Sequence, residues 1–164
     1  MSLFPPDLLS EAEALLSACR AAGVKLVTVE SCTGGLVSAL LTEIAGSSDV
    51  VDGGFITYSN LAKERAVGVR GDLIGQHGAV SEAVARAMAE GALHVSSATL
   101  AVSITGVAGP GGGSAEKPVG LVHFATAIRG GETLAHVERF GDLGRSEVRL
   151  ASVWTAIGLL RGRV

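Results

Sequence analysis

The sequence predicts an α/β domain, a three-layer α/β/α sandwich on a mixed, mostly parallel five-stranded sheet. Two observations point to that class. Helical apolar faces alternate with short β-branched runs as far as Thr105. Two further runs are then joined by Arg129-Gly130-Gly131-Glu132, a hairpin signal that makes their strands antiparallel. The length of 164 residues suits one domain with its own core, and no repeat or linker divides residues 1–164.

The elements follow in order. Leu8, Leu9, Ala12, Leu15, Leu16 and Cys19 mark one helical face after Pro5-Pro6-Asp7, closed by Gly23. Lys25 to Val29 is short, β-branched and glycine-bounded, a strand. Leu36 to Ile44 reads as a helix ended by Gly46-Ser47-Ser48-Asp49. Val50 to Tyr58 reads as a strand with glycines inside it, and Asn60 to Val67 as a short helix. Ser81 is a good N-cap for a helix from Glu82 to about His94. Thr99 to Thr105 is a strand, and Val119 to Ile128 with Thr133 to Phe140 form the hairpin. Ser146 to Leu160 is a last helix with Leu150, Val153, Trp154, Ile157 and Leu160 inward.

Composition excludes several function classes. Aromatics make up 4%, too few for base stacking along a single strand. Net charge is −3 and no basic stripe stands out, so direct nucleic-acid binding is not expected. Two cysteines, Cys19 and Cys32, make no disulfide framework, and no Cys/His spacing suggests zinc. MSLFPPDLLS lacks the pattern of a signal peptide, and the uncharged stretch 91–115 is too rich in Gly, Ser, Thr and Pro to span a membrane. A cytoplasmic location, with no membrane partner, is the expectation. Mean hydropathy of +0.45 with 18% charged residues predicts a buried interface, hence a homodimer or larger assembly.

Two strand ends run into polar, glycine-rich segments: Ser31-Cys32-Thr33-Gly34-Gly35, and Thr105 through Gly120. Ligands of open α/β sheets bind outside the carboxyl ends of strands. The first segment also opens a helix, whose free N–H groups favour an anion or a developing oxyanion. The second lacks a P-loop signature and leads into a strand, so no dinucleotide fingerprint fits it. Its length, stiffened by Pro110 and Pro118, favours ligand contact over a flexible connector.

Ser31 by itself reads as a turn serine that caps the next helix. As a nucleophile it needs a partner other than histidine, because no G-x-S-x-G elbow or triad signal is present. Tyr58 closes a strand and Lys63 lies one turn into the next helix, so either can serve as base. Equally, Tyr58 reads as a half-buried strand residue and Lys63 as a surface charge. Cys32 is a rival nucleophile, but it suits the core better. Glu30, if buried, needs a partner.

Four motifs in one order, ESCTGG (30–35), YSN with Lys63 three residues on, GAVS (78–81) and TGVAGPGGGSAEKPVG (105–120), resemble the CinA C-terminal domain family. The resemblance runs from about Val24 to Arg149. That family comprises nicotinamide-nucleotide amidohydrolases. The resemblance implies hydrolysis of the carboxamide of nicotinamide mononucleotide, releasing ammonia, on a similar α/β/α fold. It implies no metal and no cofactor, with a small nucleotide as the partner molecule. The family's serine, tyrosine and lysine fall on Ser31, Tyr58 and Lys63.

The N–H groups from Thr33 through Gly34 to Gly35 are then the expected oxyanion donors. Asn60, Thr105, Gly106, Ala108, Gly109, Gly111 and Gly112 are expected to shape the nucleotide pocket. The family often carries F-x-G-D-R before its last helix. Here the run is Phe140-Gly141-Asp142-Leu143-Gly144-Arg145, with the arginine displaced. Arg145 and Arg149 are candidate phosphate ligands, with a solvated helix face as the preferred alternative. Many members carry an N-terminal domain that is absent from this sequence, which is read as a stand-alone form. The rival functions are a pyridine-nucleotide sensor and an amidase for another carboxamide. A role in DNA uptake or damage, suggested by the family's name, is disfavoured by the charge balance.

Overall fold

The computed structural model describes residues 2–164. Helix α1 (Pro6–Ala22) begins at Pro6, where a missing N–H costs nothing, and stops at Gly23, whose φ of 68° suits a left-handed cap. Strand β1 (Leu26–Glu30) and helix α2 (Leu36–Glu43) flank the ESCTGG turn. After one 3-10 turn (Ser47–Asp49) come strand β2 (Val51–Ile56), helix α3 (Asn60–Val67) and helix α4 (Gly71–His77). Helix α5 (Glu82–His94), strand β3 (Leu100–Gly106), the hairpin β4 (Leu121–Ile128) and β5 (Thr133–Arg139), and helix α6 (Arg145–Arg161) complete the chain.

The sheet order is β2-β1-β3-β4-β5. β1 pairs parallel with both neighbours, while β4 runs antiparallel to β3 and β5, so β4 alone is reversed. One face packs under α1, α2 and α6, where Leu8, Leu16, Leu40, Phe124, Val153 and Ile157 are buried. The other lies under α3, α4 and α5, where Val27, Val29, Val67, Ile74, Val84 and Met88 are buried. Each fully buried Leu, Val or Phe contributes roughly 1.5–3 kcal/mol, so both faces are held mainly by apolar burial. No described helix is long and apolar enough to cross a membrane.

Two expectations need correction. α4 is absent from the sequence reading because GDLIGQH carries two glycines and buries only Ile74, leaving no amphipathic pattern to detect. Strand β2 ends at Ile56, so Tyr58 does not close it. Thr57 still donates its N–H to Glu30 O at 2.8 Å, and the chain then turns into α3 through Ser59, which accepts from the Ala62 N–H.

The topology places the site. β1 leads through α2 to β2 on one side of it, whereas the chain returns through α3, α4 and α5 to β3 on the other. The carboxyl ends of β1 and β3 therefore meet where the strand order reverses, the crevice at which open α/β sheets bind ligands. Ser31 N–H donates to Ile104 O at 2.9 Å, joining the two ends.

Candidate active site

A cavity of about 300 Å³ opens at this crevice. It is lined by Ser31, Cys32, Tyr58, Lys63, Thr105 and Arg145, among others. Its volume is at the small end of ligand pockets.

Ser31 is 8% exposed and does not cap α2. Glu30 takes that role from inside the sheet. Its buried carboxylate accepts the N–H groups of Gly35 (3.0 Å), Val37 (3.1 Å) and Ser38 (2.9 Å). A buried carboxylate is tolerated where backbone donors and a helix N-terminus surround it. Ser31 Oγ is thereby left for another partner, Lys63 Nζ, at 3.1 Å.

Lys63 is 1% exposed and donates also to Thr57 O at 2.8 Å. Among the described residues it forms no salt bridge. Burial therefore holds its ammonium below the ordinary lysine value. A lysine in this state exchanges a proton with an adjacent hydroxyl more readily than a surface lysine does. The surface-charge reading of Lys63 is thus incorrect, and so is the helix-cap reading of Ser31.

Tyr58 lies on the cavity rim, 63% exposed. Its hydroxyl accepts from Arg145 Nη2 at 3.1 Å, and no hydrogen bond joins it to Ser31 or Lys63 among the described residues. Arg145 also donates to Gly109 O at 2.8 Å, tying the long loop to the rim. Cys32 is buried in the core beside α6 and borders the cavity. Burial pushes its thiol up to about 11, so it stays protonated and is a poor nucleophile at neutral pH.

The expected oxyanion donors need revision. Gly34 N–H donates to Ser31 O at 3.1 Å and Gly35 N–H to Glu30, so neither is available. Their glycines serve geometry instead, with φ of 58° and 98°, values side chains rarely adopt. The N–H groups of Cys32 and Thr33 donate to no other residue among the described residues, but only Cys32 borders the cavity, since Thr33 is fully buried outside its lining.

Of the expected pocket residues, Thr105, Gly106 and Ala108 line the cavity. Asn60 instead opens α3 on the exposed surface, and Gly109, Gly111 and Gly112 lie outside the lining. Arg149 does not line it either, since its guanidinium donates to Cys32 O (3.1 Å) and Thr33 O (3.2 Å) behind the turn. Neither arginine is a plain solvated face. Ala79 and Val80, from the GAVS segment, are lining residues the sequence reading missed. Thr105 Oγ1 donates to Ala79 O at 2.9 Å and holds that segment against β3. The signal lies in the GAVS motif itself, of which the cap role of Ser81 explains only the last residue.

A three-layer α/β/α domain with a buried serine–lysine pair at its topological switch point is the class that fold and site define together. The chain belongs to the CinA C-terminal domain family, whose model matches residues 9–164. A CinA-like protein of Anaeromyxobacter dehalogenans is 51% identical over 142 residues, covering 86% of this chain and 34% of the relative. The chain thus spans about a third of the length of such relatives. The nicotinamide-nucleotide amidohydrolase PncC of Escherichia coli K12 is 51% identical over 137 residues, 83% of each chain. The crystal structure of competence/damage inducible protein CihA from Agrobacterium tumefaciens superposes with a TM-score of 0.96 at 54% identity, covering 99% of this chain and 98% of that one.

Proposed function

We propose that this chain is an amidohydrolase that converts nicotinamide mononucleotide to nicotinate mononucleotide and ammonia. One observation carries the reading: a buried, partly deprotonation-prone lysine 3.1 Å from a serine hydroxyl at the mouth of a ligand-sized cavity. The name of the E. coli relative supplies the substrate class.

In the proposed reaction Lys63 Nζ takes the Ser31 proton as Oγ bonds to the carboxamide carbon. General-base assistance of this kind is worth about 10²–10⁴ in rate. The unpartnered N–H of Cys32, which borders the cavity, receives the oxyanion, a donor worth roughly 10²–10³. The C–N bond then breaks, and Lys63 returns the proton to the departing nitrogen, releasing ammonia. Water adds to the acyl carbon while Lys63 takes its proton, and the proton goes back to Ser31 Oγ as the carboxylate product leaves. Lys63 is the immediate base because it touches Ser31, whereas Tyr58 does not. Tyr58, held by Arg145, forms a substrate-facing wall.

The test is ammonia release from nicotinamide mononucleotide by wild type and Ser31→Ala side by side. Loss of release in a folded mutant supports the scheme. Undiminished release by Ser31→Ala removes it. Nucleotide binding without release by wild type points to a sensor.

A further inference from the structure

The Ser31–Lys63 pair has unspent donors. An ammonium carries three N–H groups. Lys63 uses two of them, on Ser31 Oγ at 3.1 Å and Thr57 O at 2.8 Å, and the third meets no acceptor among the described residues. Ser31 Oγ accepts from Lys63, while its own O–H donates to nothing among the described residues. Two donors therefore stand free on atoms 3.1 Å apart, and both residues line the cavity.

The charge is unmatched as well. Lys63 is 1% exposed and forms no salt bridge among the described residues. No described acidic residue lines the cavity, and Glu30 is turned to three N–H groups of the turn and α2. The other titratable lining groups are Cys32, which stays protonated, Tyr58 on the rim, and Arg145, a second cation. A buried cation with a spare hydrogen and no counter-ion is costly until an anion reaches it. A carboxylate suits the pair, because it only accepts and has one oxygen for each donor. A carboxamide suits it less, since its NH2 group brings donors to an ammonium that only donates.

We propose that Ser31 and Lys63 together form a carboxylate-binding site, by which the protein retains the acid made in its own reaction as an inhibitor. That the acid is nicotinate mononucleotide rests on the proposed reaction; the affinity of the pair for an aromatic carboxylate does not. The substrate enters with a neutral carboxamide and becomes an anion at the group beside Lys63. The acid then holds Lys63 as an ammonium, the form that cannot take the Ser31 proton. Accumulated product slows the first step.

The experiment is calorimetric titration of nicotinate mononucleotide and of nicotinamide mononucleotide into Ser31→Ala and Lys63→Met. The two ligands share ring, ribose and phosphate, and neither variant is expected to turn over the amide. Ser31→Ala keeps the ammonium and should bind the acid about 10-fold more tightly than the amide, the size of one charge-assisted hydrogen bond. Lys63→Met should bind the two within about twofold of each other. The acid should also inhibit ammonia release by wild type competitively. Ser31→Ala carries the test alone if Lys63→Met does not fold. Equal affinity of Ser31→Ala for acid and amide overturns the inference, and so does a preference for the acid that survives in Lys63→Met. A preference that depends on Lys63, in a protein whose wild type releases no ammonia, removes the proposed reaction and leaves the carboxylate site standing. Ammonia release without any preference for the acid keeps the reaction and overturns the site.

Discussion

Two strand-end segments border the same cavity and are built in opposite ways. The turn after β1 spans five residues, and most of its carbonyls and amides are committed, to each other, to Glu30 and to Arg149, leaving the N–H groups of Cys32 and Thr33 without a partner among the described residues. The segment after β3 is long and largely exposed, and only Gly106 and Ala108 beyond Thr105 reach the cavity. Both looked equally like ligand loops in the sequence. The difference teaches where precision is needed. Reacting groups require positions held to a fraction of an ångström, and a closed hydrogen-bond account provides that. The exposed glycines at 111 and 112 lie outside the cavity lining and need no such precision.

The sharpest way to break this comparison is at the pair the short turn presents. Lys63→Met should lower kcat by about 10²–10⁴ in a protein that still folds. Residual activity near wild type would return the base role to Tyr58. The pH profile sharpens the same point. Burial lowers the Lys63 pKa, and the base must be neutral, so kcat/KM should rise with pH through a limb lying below the ordinary lysine value. That limb should disappear in Lys63→Met. Stability carries the matching sign. The unfolded chain binds this proton more tightly, so the cost of burying Lys63 is present at low pH and is relieved as pH rises through the folded pKa toward the unfolded one.

Glu30→Gln comes next in size. A glutamine offers one acceptor oxygen where the carboxylate serves three N–H groups with two, so buried donors lose partners. Chemical denaturation should show a loss of about 1–3 kcal/mol, the usual cost of an unsatisfied buried group. No loss would mean that the turn does not depend on this account.

The smallest effect belongs to the long segment. Gly111→Ala meets nothing within 4 Å and should change melting and kcat little, within about 0.5 kcal/mol. Gly106→Ala is its counterweight, because a Cβ there would lie 2.7 Å from Val122 Cγ2 and 2.8 Å from Leu121 O. Equal tolerance of both substitutions would erase the distinction between the exposed loop and the cavity-lining Gly106.

Much of the fold was legible without coordinates. Apolar spacing located five helices and five strands, and the hairpin turn made β4 antiparallel to β5. These are local properties, because period and turn chemistry are written in neighbouring residues. Ser31, Tyr58 and Lys63, singled out from the sequence, all border one cavity. Their roles were not legible in the sequence. Glu30 as the cap of α2, Lys63 rather than Tyr58 on the serine, and Arg149 behind the turn depend on which strands are neighbours. Lys63 is 32 residues from Ser31 and Arg149 is 117 from Cys32. Sequence determined the elements because local backbone preference and apolar period need no partner. Tertiary structure decided the contacts of the site because hydrogen bonds and burial are set by groups that only the packed sheet brings together.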